Sequence, residues 1–160
     1  MTILRQRVAP SDNFFTGAGA GVLYIWLHRS IRNQRERKVS AVIEISVAKN
    51  RIYLGLEGYF RDEEAQQLAD KVITEIGKLR PGFDLVNDIS KFMPASQAAA
   101  GHFLRVQGVM KERGVRRIVR VVAGNALGNM QVGRAATQSG LEAQIASTRQ
   151  EAERLLDQAR

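Results

Sequence analysis

RIYLGLEGYFRDEEAQQLADKVITEIGKLRPGFDLVNDIS (51–90) is the stretch whose reading decides the fold. Arg51–Gly58 alternates, with Ile52, Leu54 and Leu56 on one face, which is the period of a strand buried on one side. The period then changes. Across Arg61–Leu79, Ala65, Leu68, Ala69, Val72, Ile73 and Ile76 recur at three- and four-residue spacing, which marks an amphipathic helix. Asp62, Glu63 and Glu64 fall in its first turn, where the helix dipole favours acids. Pro81-Gly82 stops the helix, and Phe83–Ile89 returns to a strand pattern. Strand, helix and strand in succession imply a crossover between parallel strands.

The flanking segments extend this pattern in both directions. Ala41–Val47 alternates and is rich in β-branched residues, and Lys49-Asn50 is a turn signal, so the two runs predict a β-hairpin. Downstream, Met93-Pro94-Ala95-Ser96 leads into a helix over Gln97–Arg113, with Ser96 as N-cap and Gly114 as the closing glycine. Its expected inward positions are Ala100, Phe103, Leu104, Val106 or Gln107, and Met110. Val115–Ala123 reads as a strand covered on both faces. After a loop at Gly124–Gly128 come a short helix over Leu127–Gln138, a break at Ser139-Gly140, and a short edge strand within Glu142–Ser147. A final helix over Thr148–Ala159 opens on a capping box from Thr148 to Glu151, with Ala152, Leu155 and Leu156 inward. The predicted fold is α/β: a mixed, mostly parallel sheet of four to five strands, an N-terminal β-hairpin, and helices packed on it.

Composition narrows the chemistry. The 160 residues suit one domain with one core. With no cysteine, disulfides, thiolate metal sites and cysteine nucleophiles are excluded, which fits a reducing cytoplasm. Two histidines, His28 and His102, are too few for a histidine-built metal site or triad. No catalytic constellation, cofactor motif or metal motif emerges. The net charge of +8 is uneven: residues 1–40 carry seven Lys or Arg against two acids. The remaining +3 makes only a weak case for nucleic acid.

Residues 1–39 read as an N-terminal extension ahead of a domain spanning 40–160. Phe14–Leu27 is apolar but too short for a membrane span of about 20 residues. The basic run His28–Lys38 follows it, unlike a signal-peptide cleavage region. Three readings stay open: an interfacial anchor, an extension that packs on the domain or stays loose, or a start-site artefact with translation beginning near Val39.

The order of elements resembles the STAS superfamily, the sulphate-transporter and anti-sigma-factor-antagonist domains. The matching pieces are LEGYF at 56–60, NDIS at 87–90, ERGVRRIVRVVAG at 112–124 and STRQEAERLL at 147–156. The last of these resembles a looser, STAS-like branch. The resemblance covers residues 41–158. It implies a bacterial, non-enzymatic regulatory module that binds a protein partner, such as a kinase or an anti-sigma-like factor, and can pair as a homodimer. In the antagonists a serine or threonine at the start of the second helix is phosphorylated, and Ser96 matches that position. The family's motif has Asp before that residue and Ser-Gly after it, whereas this chain has Pro94-Ala95-Ser96-Gln97.

Each candidate also has a plainer reading. Ser96 is a phosphoacceptor at a helix N-terminus or simply an N-cap. Asp88 and Ser90, at the carboxyl end of a strand, contact a partner, or Asp88 fixes its own loop through backbone N–H groups. Gly124–Asn129 has the placement of a phosphate loop without its lysine, and a turn explains it too. Lys111, Arg113, Arg116, Arg117 and Arg120 form a basic cluster or a solvated rim, with Arg116 and Arg120 on one strand face and Arg117 on the other. The predicted partner surface is Asp88–Gln97, including Ser90 and Ser96, with Arg116 and Arg120 as a second patch. The alternative is a small-ligand or lipid sensor, as in the related CRAL-TRIO layout, and it requires an apolar cavity between sheet and helices.

Overall fold

A computed structural model of the chain describes residues 39–158. The three readings of residues 1–38 lie outside the described residues. The elements follow the predicted order: β1 (Ser40–Ser46), β2 (Arg51–Tyr59), α1 (Asp62–Ile76), β3 (Asp84–Met93), α2 (Gln97–Glu112), β4 (Arg117–Val121), α3 (Ala126–Ser139), β5 (Gln144–Ala146) and α4 (Arg149–Gln158). The five strands lie side by side in chain order. β1 pairs antiparallel with β2, and every later pair is parallel.

That order explains where the helices go. Right-handed crossovers between successive neighbouring strands deliver each connecting helix to the same face of the sheet. α1 and α2 accordingly pack on Ile52, Leu54, Leu56, Leu85, Ile89 and Ile118, with Val132 of α3 against the same core. α4, after the last strand, covers the other face with Ala152 and Leu156 against Val86, Val119, Val121 and Ala146. Strand parity sorts the faces: odd residues of β3 and even residues of β4 look toward α1–α3.

Several element ends differ from expectation for identifiable reasons. β3 runs on to Met93 rather than stopping at Ile89. Between Gly55↔Asp88 and Glu57↔Lys91 two residues of β3 oppose one of β2, which is a β-bulge. Asp88 Oδ1 holds it, accepting from the Ser90 backbone N–H at 3.0 Å and the Ser90 hydroxyl at 2.6 Å. The extra residue reverses the parity of the strand, so even-numbered Phe92 now faces the helices. It forms an aromatic trio with Phe60 and Phe103, the centroids 5.8–6.2 Å apart.

In α2 the buried positions are Ala99, Val106 and Met110. Leu104, expected inward, is exposed, and Ala100 and Phe103 are half-buried. The helix is rotated from the predicted stripe because its inner side rests on α1 and α3 as well as on the sheet. Gly114, at φ +73°, ends it, with Val115 N–H donating to Met110 O and Gly114 N–H to Lys111 O. This is the paired bonding of a Schellman cap. β4 starts at Arg117 rather than Val115, because residues 113–116 serve that cap and the crossing to β3. At the last helix Thr148 Oγ1 accepts from Glu151 N–H, but Glu151 reaches back to Ser147 N–H rather than to Thr148.

The amino ends of β2–β4 carry an ionic clamp to α4. Arg51 is fully buried, and its guanidinium meets Glu153 at 2.6 Å and Asp157 at 2.9 Å. Buried Asp84 takes Arg116 and Arg117 at 3.0 Å each, and Arg117 also donates to Leu156 O. Burial pushes the Asp84 carboxyl up, but bonds from Arg116 and Arg117 outweigh it and hold the group below its ordinary range.

Candidate functional site

The carboxyl ends of β3 and β4 feed α2 and α3, and their loops are knitted together by two amides. Asn125 caps α3, accepting from Gly128 N–H at 3.0 Å, and its Nδ2 donates to Ile89 O and Phe92 O. Gln131 clasps the loop before α2, its Oε1 accepting from Ala95 N–H and its Nε2 donating to Ala95 O. The bulged end of β3 and the start of α2 are thereby fixed to α3. Val122–Asn125 is a tight turn with Ala123 at φ +41° and Gly124 at φ +83°, closed by Asn125 N–H to Val122 O. That is the pattern of a type I′ turn. The turn therefore falls earlier than the predicted Gly124–Asn129, since residues 126–129 already belong to α3, and it sets an alanine as well as a glycine at positive φ.

Asp88, Ser90, Ser96 and Gln97 all lie along this one end of the sheet. Ser96 acts as the N-cap, its Oγ accepting from Ala99 N–H at 3.2 Å, and Gln97 is exposed in the first turn of α2. Asp88 spends one carboxylate oxygen on the bulge inside β3, where the plainer reading expected it to fix the loop after the strand. Met93 at the end of β3 and Leu127 (65%) and Met130 (50%) at the start of α3 are exposed apolar side chains near this end of the sheet.

The second predicted patch does not form. Arg116 sits at the opposite, amino end of β4 and turns to Asp84 beside Arg117. Arg120 has the inward parity of Ile118 and is only 6% exposed, so it points into the protein. Strand alternation would put Arg116 and Arg120 on one face, but Arg116 precedes β4 and its guanidinium goes to Asp84, so the two do not share a face. Nor could alternation show that the face at Arg120 is covered by α2 and α3.

Arg120 opens onto a cavity of about 70 Å³ between the sheet and α1–α3. The wall is mostly apolar, built from residues such as Leu54, Leu68, Leu85, Phe92, Val106, Met110 and Ile118. Small residues of α3, Ala135 and Ala136, leave the space unfilled. Half-buried Ala100, Phe103 and Gln107 on α2 and Gln131, Val132 and Ala135 on α3 also line it, so its opening lies between these two helices. Three residues of this wall each carry a buried polar atom with no hydrogen-bond partner: Asn87 Oδ1, Gln107 Oε1 and Arg120 Nε. Arg120 donates from Nη1 to Asn129 Oδ1 at 3.0 Å. Burial lowers its pKa, with no carboxylate to offset the effect.

Sequence reasoning missed Asn87 and Gln131 as lining residues, and offered Gln107 as an inward position only in place of Val106. A signal existed for two cavity groups: Asn87 and Arg120 occupy inward-parity slots next to Leu85, Ile89 and Ile118, where an apolar residue is expected. His102, at the start of α2, pairs with Asp62 at 3.0 Å on the surface of the helix pair. Among the described residues no group of three or more metal-ligating side chains converges, and no helix is long and apolar enough to cross a membrane.

No family model and no curated protein matches the chain. Among solved structures it is similar to a protein of the DUF3478 family with a SpoIIAA-like fold from Shewanella loihica PV-4. The two share 18% identity at a TM-score of 0.57, over 75% of this chain and 94% of that one. The chain has a SpoIIAA-like, that is STAS-like, fold. A second solved structure, Mglu, aligns at 16% identity over 81% of this chain and 27% of that one, with a TM-score of 0.31 too low to indicate a shared fold. Ser96 stands at the amino end of α2, as its N-cap.

Proposed function

We propose that this chain is a non-enzymatic binding domain that takes a small ligand in the cavity between its sheet and helices. The observation that supports this reading most is the set of three unpartnered polar atoms, Asn87 Oδ1, Gln107 Oε1 and Arg120 Nε, on residues that line one apolar cavity. Buried polar groups are nearly always hydrogen-bonded, and each one left unmade costs about 1–3 kcal/mol. An apolar chamber with a few converging polar groups is the usual form of a small-molecule site. Among the described residues that line it, Arg120 is the one ionisable side chain, and arginine stays charged at any working pH. General acid–base chemistry needs a group that exchanges protons, so this wall suits binding rather than catalysis.

Ligand-induced stabilisation tests the reading. The full chain is screened by thermal unfolding against compact organic compounds, beside an Ala136→Leu variant that fills the cavity from α3. At least one chemical class should raise the Tm of the wild type and leave the filled variant unmoved. Equal shifts in both proteins, or none, would count against the cavity as a site.

A second reading is favoured by the exposed apolar side chains Leu127 and Met130 in the first turns of α3. We infer that this end of α3, with Ser96 and Gln97, is where a protein partner such as a kinase or anti-sigma-like factor would dock. Gln131 joins the two readings, since it lines the cavity and holds Ala95, the residue before Ser96. Met130→Glu should abolish partner capture without altering ligand-induced stabilisation. Capture that survives the substitution would move the docking surface elsewhere.

A further inference from the structure

A guanidinium inside an apolar cavity calls for a counter-charge. Elsewhere this chain supplies one: buried Arg51 meets Glu153 and Asp157, and Arg116 and Arg117 meet Asp84. Arg120 has no acid within salt-bridge reach among the described residues. Its Nη1 is used by Asn129, and its Nε has no partner, on a residue that lines the cavity. An uncompensated charge away from water is strongly unfavourable, so a fold that retains one gains from any anion that reaches it.

The other two orphan atoms refine the match. Asn87 is 8% exposed, and its Oδ1 and Gln107 Oε1 are acceptors that need an N–H or O–H donor. One cation and two acceptors are complemented by a molecule with one negative charge and at least one donor close to it. A planar guanidinium edge fits a carboxylate through parallel N–H···O bonds. A phosphate carries nearly two charges and would call for a second cation, which the wall does not hold. The remaining wall is apolar. At roughly 10–15 Å³ per water-sized group, a cavity of about 70 Å³ admits on the order of five to seven such groups.

Building on the ligand-binding reading above, we propose that the cavity binds a small organic monocarboxylate that carries a hydroxyl or N–H donor beside the carboxylate and a short apolar body. Arg120 holds the carboxylate, Asn87 and Gln107 accept from the donor, and the α1–α3 side of the cavity takes the hydrocarbon.

The test uses the full chain and calorimetric titration with three probes on one four-carbon frame: 2-hydroxybutanoate, its uncharged amide, and butanoate. The wild type should prefer the hydroxy acid to the amide by about tenfold, the difference between a charge-assisted and a neutral hydrogen bond. Butanoate, without the donor, should bind more weakly than the hydroxy acid. Arg120→Met should erase the preference for acid over amide, and Arg120→Lys, which keeps the charge but loses the planar fork, should retain part of it. Circular dichroism checks that each variant folds. If the amide binds the wild type as tightly as the acid, or Arg120→Met binds the acid undiminished, the carboxylate assignment is overturned while the cavity reading survives. If no probe binds at millimolar concentration, or binding persists in Ala136→Leu, both are overturned.

Discussion

Replacing Arg120 with methionine should leave the unliganded protein at least as stable, although it removes a hydrogen bond. Methionine is unbranched and fills the path of the arginine stem without a charge. Exchanging a buried ionic group for a well-packed apolar one is commonly neutral or stabilising by about 1–4 kcal/mol. Against this stands the bond from Nη1 to Asn129 Oδ1 at 3.0 Å, whose loss costs about 1 kcal/mol. The Nε orphan disappears with the guanidinium, so no further penalty is added. The net expectation is between no change and a gain of about 3 kcal/mol. Urea unfolding at neutral pH, without added ligand, should show an equal or higher midpoint at unchanged slope. Any gain should raise the Tm by roughly 3–5 °C per kcal/mol for a domain of this size. A loss of more than about 1 kcal/mol would refute the reasoning, because it would mean that the charge is already well satisfied inside the fold.

Four further predictions concern the frame around the cavity. Asp84→Asn should cost about 3–5 kcal/mol at pH 7, since it leaves Arg51, Arg116 and Arg117 facing a neutral group. The folded carboxyl of Asp84 lies below its unfolded value, so its contribution is full above about pH 4 and is lost as the pH falls through the folded value. Urea midpoints measured from pH 7 downward should therefore fall more steeply in the wild type than in Asp84→Asn. Gly128→Ala places a Cβ 2.6 Å from Asn125 Nδ2, and it should lower stability by about 1–2 kcal/mol while speeding amide exchange near Phe92. Ala123→Gly should stabilise by up to about 1 kcal/mol, because alanine at φ +41° carries left-handed strain that glycine lacks; an unchanged Tm would contradict this. Ser96→Ala should cost about 1 kcal/mol and Ser96→Asp almost nothing, since aspartate also caps α2; equal losses in thermal unfolding would show that the cap contributes little.

The fold was legible because each element carries its own period. Ile52, Leu54 and Leu56 alternate, Leu68, Val72 and Ile76 recur by fours, and the glycines at 114 and 140 stand at left-handed helix ends. Strand pairing in chain order then follows from short right-handed crossovers. The bulge at Asp88–Ser90 was not legible, because an extra residue in one strand depends on its neighbour's register and leaves no local period. The site was legible in part. Ser96 and Asp88 have the local roles their residue types suggest, as N-cap and as acceptor of nearby N–H groups. Arg120 was misread because a basic residue among Arg116 and Arg117 reads as surface charge. Its burial comes from α2 and α3 closing over β4, a contact between segments distant in sequence. Polar residues in inward-parity slots, Asn87 and Arg120, are the trace that such a site leaves in one sequence.

Two-dimensional amide NMR of the full chain, titrated with 2-hydroxybutanoate, tests the central claim most directly. The account predicts shifts concentrated at Asn87, Val106, Gln107, Arg120 and Ala136 around the cavity, carried outward through Gln131 to Ala95 and Ser96. Shifts confined to the exposed edge at Met93, Leu127 and Met130, with the cavity amides unmoved, would contradict it.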